Sequence, residues 1–180
     1  MATITKEALL DADPAACWAA LRDFGALHER LARGFVTDAR MTGPRERQVT
    51  FFNGSVVTEQ LLTIDDERMR VVYTLTEGLP TCTFYGASAQ ILPETEGGCR
   101  FVWTLDVLPD ELEPGLAAMM DRGIEAIGET LAPSSARARI PTRSETLFGV
   151  ASARTTTSPN HDTTHRGDSP DPGGRKRRPS

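Results

Sequence analysis

Between residues 34 and 108, apolar and polar residues alternate in short runs, and this period of two is typical of β-strands that bury one face. Residues that favour turns separate the runs, and Asn53-Gly54 is the strongest hairpin signal among them. Residues 3–10 alternate in the same way and form a predicted first strand. Regular short strands joined by tight turns predict an antiparallel meander. We expect its six later strands at residues 34–42, 46–53, 55–64, 68–76, 81–92 and 98–108.

Helical spacing appears on either side of this strand region. Asp13-Pro14 is a helix start, with Asp as the N-cap and Pro at the first helical position, and a second short helix follows. From Leu116 to Leu131, apolar residues recur every three or four positions, which predicts a long final helix with one apolar face. A twisted sheet curled around one long helix leaves a gap between them. That gap is the natural place for a ligand cavity.

The chain changes character after Ala132. Pro133 ends the helical pattern, and from residue 155 onward the sequence contains no Val, Ile, Leu, Phe, Trp or Tyr. Such a segment cannot bury enough apolar surface to offset the entropy lost on ordering. We therefore expect one domain over residues 1–136 and a disordered tail, rich in Arg, Thr, Ser and Pro, over residues 137–180.

Charge narrows the choice of partners. The 180-residue chain has 20 Lys and Arg residues and 25 Asp and Glu residues, a net charge of -5. The acidic excess lies within residues 1–136, so this part has no electrostatic footprint for nucleic acid. The tail is basic and ends in the cluster Arg175-Lys176-Arg177-Arg178. We expect at most a weak contact between this cluster and an acidic surface.

The sequence also lacks the patterns of several other protein classes. No apolar run approaches the roughly 20 residues that cross a bilayer, and the N-terminus lacks the apolar core of a signal peptide. We therefore expect a cytoplasmic protein that does not insert into membranes. Cys17, Cys82 and Cys99 are odd in number and widely spaced, so they predict reduced thiols and no zinc site. With no phosphate-binding glycine loop, we expect neither a metal nor another cofactor.

Alternation also predicts which side chains face the cavity. Aromatic residues fall on the inward face of three strands, and Ala87 leaves space beside them. Buried Tyr and Trp each carry a polar atom that needs a partner. Met side chains on the final helix adapt readily to different ligands. The predicted pocket residues are Phe51, Glu59, Tyr73, Tyr85, Ala87, Trp103, Met119, Met120 and Gly123.

Glu59 depends on the register of its strand. Both parities of residues 55–64 carry apolar side chains. One register places Glu59 inside beside Leu61, whereas the other turns Leu62 and Ile64 inward and leaves Glu59 in solvent. An inward carboxyl group must be paired, hydrated or protonated. It is then a candidate acid, base or ligand anchor.

The order of elements resembles the helix-grip fold of the START-like, Bet v 1-like superfamily. Residues 13–32 (DPAACWAALRDFGALHERLA), residues 53–78 (NGSVVTEQLLTIDDERMRVVYTLTEG) and residues 99–109 (CRFVWTLDVLP) are similar to its bacterial polyketide cyclase/dehydratase-like branch, the SRPBCC proteins. The similarity covers Thr3 to Leu131. It implies an α+β fold, in which a seven-stranded curved antiparallel sheet wraps around a long C-terminal helix and two short helices follow strand 1.

The stretch TEQLLTIDDER is also similar to a strand of plant abscisic-acid receptors, in which a glutamate at the matching place contacts pocket water. This resemblance implies that Glu59 points inward, and the Tyr85 region is similar to a pocket tyrosine of those receptors. Those receptors have a Ser-Gly-Leu-Pro gate loop before the glutamate. Here a tight hairpin at residues 52–55 takes its place, so we do not expect a gating loop.

These observations favour a binding protein for a small hydrophobic or amphipathic molecule, held between the sheet and the C-terminal helix. A cofactor-independent polyketide cyclase/dehydratase that uses Glu59, Tyr73 and Tyr85 as acid and base is one alternative. His28 is the only histidine before the tail and lies outside the strands, which argues against nucleophilic triads. A protein-binding or co-chaperone-like domain is a further alternative.

Overall fold

A computed structural model describes residues 1–132, which form a seven-stranded sheet and three α-helices. The predicted domain end at residue 136, the predicted tail at 137–180 and its basic cluster lie outside the described residues. A short 3-10 turn, Asp110–Leu112, precedes the last helix. In chain order the elements are β1 (Ala2–Leu10), α1 (Pro14–Arg22), α2 (Leu27–Arg30), β2 (Val36–Gly43), β3 (Glu46–Phe51), β4 (Val56–Asp65), β5 (Arg70–Glu77), β6 (Phe84–Pro93), β7 (Cys99–Leu108) and α3 (Glu113–Leu131).

The sheet is antiparallel throughout and follows the order β1-β7-β6-β5-β4-β3-β2. Hairpins connect the neighbours from β2 to β7, and β1 adds to the free edge of β7. The sheet curves around α3, whose Met120, Gly123 and Ile127 are buried. The predicted α+β helix-grip fold, with two short helices after the first strand, is confirmed. Among the helices of residues 1–132, none has the length and apolar character needed to cross a membrane.

Helix α1 begins where the sequence predicts. Asp13 caps it, because its side-chain Oδ2 accepts a hydrogen bond from the backbone N–H of Ala16 at 3.1 Å. Cys17 on this helix is buried against the sheet together with Cys99 of β7. Burial raises the pKa of the Cys17 thiol to about 12, and the contact with Cys99 adds to the shift. This thiol is therefore protonated at neutral pH and packs as a small apolar group.

A β-bulge in β4 explains why its sequence alternates ambiguously. Leu61 pairs with Tyr73 of β5, but the next pair joins Thr63 to Val72, so Leu62 is the extra residue. Before the bulge the odd positions face inward, and after it the even positions do. Leu61 is accordingly 8% exposed and Leu62 is 50% exposed. The structure thus has the register that places Glu59 inside, and the bulge brings Ile64 against the core as well.

Gly123 lets α3 approach the sheet closely. A Cβ atom at this position would lie 2.8 Å from Cζ3 of Trp103 and 3.1 Å from Cε1 of Phe35. By contrast, a Cβ atom on Gly128, five residues further along α3, would meet no atom within 4 Å. Alanine at Gly128 therefore changes helix propensity alone, whereas alanine at Gly123 changes both helix propensity and packing.

We expect the bulge to make neighbouring leucines differ in their contribution to stability. Leu61→Ala leaves a cavity in the core and should lower the free energy of unfolding by about 2–5 kcal/mol. Leu62→Ala removes an outward side chain and should change it by less than about 0.5 kcal/mol. Urea denaturation of both variants measures the difference. Equal losses would place the bulge elsewhere in β4.

We also expect opposite effects from alanine at the two helix glycines. Gly128→Ala should raise the free energy of unfolding by roughly 0.5–1 kcal/mol, because alanine favours the helix. Gly123→Ala gains the same propensity but must displace Trp103 or Phe35, so we expect a net loss of about 1–3 kcal/mol. Thermal unfolding and tryptophan fluorescence report both effects. A gain at Gly123 equal to that at Gly128 would contradict the close packing of α3.

Candidate functional site

The sheet and α3 enclose a cavity of about 230 Å³. This is slightly below the usual range of about 300–1,000 Å³ for pockets that hold drug-sized ligands, so the space suits a small molecule. Most lining side chains are apolar, and they come from α1, α2, the sheet and α3. Asn53, Ser55 and Gly78 are exposed members of the lining. The β3–β4 and β5–β6 loops therefore border the mouth.

Seven of the nine predicted pocket residues line this cavity. They are Phe51, Glu59, Tyr73, Tyr85, Trp103, Met119 and Met120. Ala87 and Gly123 are buried but are not part of the lining. Ala87 lies between its cross-strand partners Tyr73 and Leu105, whose larger side chains line the cavity in its place. Gly123 lies behind Trp103 and Phe35, which cover it.

A buried ion pair supplies the charged part of the lining. Arg47 on β3 pairs across the sheet with Glu59 on β4, and each residue is 5% exposed. Arg47 Nε donates to Glu59 Oε2 at 2.6 Å, and Arg47 Nη2 lies 2.5 Å from the same oxygen. Because both ions lose their water on burial, only such close contacts offset the cost of desolvation.

Phe24, which follows α1, completes the surroundings of Arg47. Its carbonyl oxygen accepts a hydrogen bond from Arg47 Nη1 at 2.7 Å. Its ring centroid lies 3.6 Å from Arg47 Cζ, which is a cation–π contact. The ring of Tyr73 is further away, at 5.7 Å. The protein thus balances the charge of Arg47 with its own groups.

Sequence reasoning missed Arg47. The signal was present, because Val49 and Phe51 alternate with it along β3 and face the interior. An inward Val49 makes Arg47 inward as well. Its partner follows only from the register between β3 and β4, which places Arg47 directly opposite Glu59.

The tyrosines and the tryptophan form a second polar group in the cavity. Trp103 Nε1 donates a hydrogen bond to the Tyr73 hydroxyl at 2.9 Å. Burial and then the nearby negative charge of Glu59 raise the pKa of Tyr73. Burial, followed by Tyr73 and Glu59, also raises the pKa of Tyr85 well above its ordinary value. Both phenols are therefore uncharged at neutral pH, in the form that donates a hydrogen bond.

Other ionisable groups lie away from this space. Arg47 and Glu59 are the only charged side chains among the described residues that line the cavity. His28 on α2 is not in the lining, and its Nε2 lies 3.6 Å from a carboxylate oxygen of Glu29. Over residues 1–132, no group of His, Cys, Asp and Glu side chains is placed to hold a metal ion. The chemistry of the cavity is thus that of one ion pair and two phenols.

The predicted hairpin at the mouth is held by its own turn and by α3. Asn53 Oδ1 accepts hydrogen bonds from the N–H of Ser55 at 3.0 Å and from its hydroxyl at 2.6 Å. Cζ of Arg122 on α3 lies 3.7 Å from the ring centroid of Phe52. This cation–π contact connects the hairpin to the helix.

Known structures share this architecture. An uncharacterised protein from Bacillus thuringiensis is 19% identical, with a TM-score of 0.64, and the match covers 72% of this chain and 98% of that one. A protein from Thermobifida fusca is 25% identical, with a TM-score of 0.59 and coverages of 77% and 96%. A point mutant of norcoclaurine synthase from Thalictrum flavum, in complex with a transition-state analogue, is 21% identical, with a TM-score of 0.54 and coverages of 72% and 93%.

A comparison with curated proteins finds no match. The family model described as polyketide cyclase / dehydrase and lipid transport matches residues 1–132, which is every residue that the structure describes. The resemblance expected from the three sequence segments is confirmed. Its extent, on a chain that folds as a curved sheet around a final helix, shows that this protein belongs to the polyketide cyclase/dehydrase and lipid transport family.

Proposed function

We propose that this protein binds a small, mainly hydrophobic molecule in the cavity between the sheet and α3. The observation that carries this proposal is a lining that is mostly apolar, with the ion pair and the phenols as its polar part inside and Asn53 and Ser55 at the mouth. An apolar molecule gains about 25 cal/mol for each Å² that it removes from water in such a site. The polar part, formed by the ion pair and the phenols, orients a ligand that carries one polar end. The expected ligand is therefore amphipathic.

The surroundings of Glu59 favour binding over acid/base catalysis. Two hydrogen-bond donors of Arg47 hold one of its carboxylate oxygens. A proton taken up by Glu59 would remove the negative charge that pairs with Arg47 and would leave the buried guanidinium without a counter-charge. Tyr73 and Tyr85 are also poor bases, because burial raises the pKa of each phenol and so disfavours loss of its proton. The residues named for a cyclase or dehydratase are thus better suited to hydrogen bonding with a ligand.

The exposed apolar residues give less support to a protein-binding function. Apart from Met1, the large exposed apolar residues of residues 1–132 are spread over β1, β2, β4 and β6, with no more than two on any strand. Single apolar residues spread over a surface are common and do not mark an interface. A proposal based on the enclosed cavity is therefore stronger than one based on the outer surface.

Blocking the cavity should abolish binding without unfolding the protein. We expect the uncharged dye N-phenyl-1-naphthylamine to bind with enhanced fluorescence, because it moves into apolar surroundings. Met119→Trp adds bulk to a lining side chain and should weaken dye binding about tenfold or more, equivalent to about 1.4 kcal/mol or more. Ala118→Trp is the matched control, because Ala118 is the exposed neighbour on the same helix.

Fluorescence titration measures both affinities, and circular dichroism checks that each variant is folded. Equal dye affinity in the two variants would contradict binding inside the cavity. Native mass spectrometry of the purified protein then looks for a small molecule retained from the expression host. Its mass identifies the kind of ligand, and its loss in Met119→Trp, with retention in Ala118→Trp, locates it.

A further inference from the structure

The ion pair in the cavity is one-sided. Arg47 Nε and Nη2 both approach the same carboxylate oxygen of Glu59, Oε2. The other oxygen, Oε1, makes no hydrogen bond to any of residues 1–132. A carboxylate oxygen is an acceptor with two lone pairs. Glu59 therefore keeps a strong acceptor that the protein does not use.

This unused oxygen is accessible from the cavity. Within residues 1–132, His28 Nδ1 is the only fully enclosed side-chain polar atom that lacks a hydrogen-bond partner. Glu59 Oε1 lacks a partner too, so it must reach open space. Glu59 is 95% buried overall and lines the cavity, so the open space that its Oε1 reaches is the cavity.

Tyr85 provides a second unused polar atom in the same lining. Its hydroxyl group makes no hydrogen bond to any described residue, whereas the hydroxyl oxygen of Tyr73 already accepts one from Trp103. Glu59 lies opposite Leu75 of β5, and Tyr85 lies on β6 two residues before Ala87, the partner of Tyr73, so both side chains enter the cavity from the same part of the sheet. An uncharged phenol both donates and accepts. A ligand group that lies between Tyr85 and Glu59 can thus donate to the carboxylate and accept from the phenol.

The lining offers no unpaired cation to an anionic ligand. Arg47 is the only cation among the described lining residues, and Glu59 and the Phe24 carbonyl already hold it. A carboxylate ligand would lose its water and face the negative charge of Glu59. A ligand with no polar group would leave both unused atoms without a partner, which is also unfavourable.

We infer that the cavity selects uncharged molecules that carry a hydroxyl group at their polar end, in preference to carboxylates and hydrocarbons of the same size. The hydroxyl hydrogen bonds to Glu59 Oε1, and the hydroxyl oxygen accepts from Tyr85. This inference rests on the proposed binding function and adds the chemical class of the ligand.

Three probes of nearly equal size test this inference. They are 2-naphthol, which is uncharged at pH 7, 2-naphthoate, which is anionic, and 2-methylnaphthalene, which has no polar group. Binding of each to the full-length protein is measured by ligand-observed NMR at pH 7. We expect 2-naphthol to bind at least roughly thirtyfold more tightly than 2-methylnaphthalene, because it adds two hydrogen bonds, one of them to the charged Glu59. We expect 2-naphthoate to bind more weakly than either.

Tyr85→Phe removes only the hydroxyl group from the lining. It should lower the affinity for 2-naphthol by about three- to tenfold and leave that for 2-methylnaphthalene unchanged. Phe84→Leu, at the exposed neighbouring position, should change neither affinity. Glu59→Gln removes the negative charge and frees Arg47, so in the folded variant 2-naphthoate should bind better than 2-naphthol. If this variant does not fold, Tyr85→Phe decides the test.

The outcomes separate the inference from the proposed function. If none of the three probes binds, the proposed function fails. If 2-naphthoate or 2-methylnaphthalene binds the wild-type protein as tightly as 2-naphthol, the cavity binds ligands but the hydroxyl selection is wrong. If Tyr85→Phe weakens 2-naphthol and 2-methylnaphthalene equally, the phenol acts through packing and the inference is also overturned.

Discussion

The buried contact between Arg47 and Glu59 is the interaction on which the chemistry of this molecule depends. Each ion loses hydration worth several kcal/mol on burial, so neither is tolerated without the other. Their contact fixes β3 against β4, and the bond from Arg47 to the Phe24 carbonyl attaches the segment after α1 to the same point. With its two charges balanced, the cavity has no net charge, and one carboxylate oxygen is left as its strongest acceptor.

The shape of the cavity follows from how α3 meets the sheet. Gly123 lets the helix contact Trp103 and Phe35, whereas the longer side chains of Leu116 and Met119 line the open space. Trp103 belongs to both the close contact and the cavity lining, because it packs against Gly123 and donates its hydrogen bond to Tyr73. Close packing on one part of the helix thus supports an enclosed space along another. The same burial that encloses this space keeps the tyrosines uncharged by raising the pKa of each phenol.

The sequence predicts the fold better than it predicts the site. Alternation and turn signals identify every strand within residues 1–132, and Asp13 identifies the start of α1. The register of β4 stays ambiguous, because a bulge changes the inward parity at Leu62 and local pattern cannot locate a bulge. Arg47 was missed because a charged residue in a strand is usually solvated. Its role appears only when cross-strand register brings it to Glu59. Ala87 and Gly123 are buried, but larger neighbouring side chains separate them from the cavity. The local sequence pattern does not show this separation, because it depends on packing between elements that are distant in the chain.

A double-mutant cycle on the ion pair tests this account most directly. The free energy of unfolding is measured for the wild type, Arg47→Met, Glu59→Leu and the double variant by urea denaturation. Each single change leaves one buried charge unpaired and should lower the free energy of unfolding by about 3–5 kcal/mol. The double variant leaves no buried charge unpaired, so it should be more stable than either single variant. We expect a coupling energy between the two positions of roughly 2–3 kcal/mol or more. If the two single losses simply add, the residues do not form a coupled buried pair, and the charge-balanced cavity described for this protein is wrong.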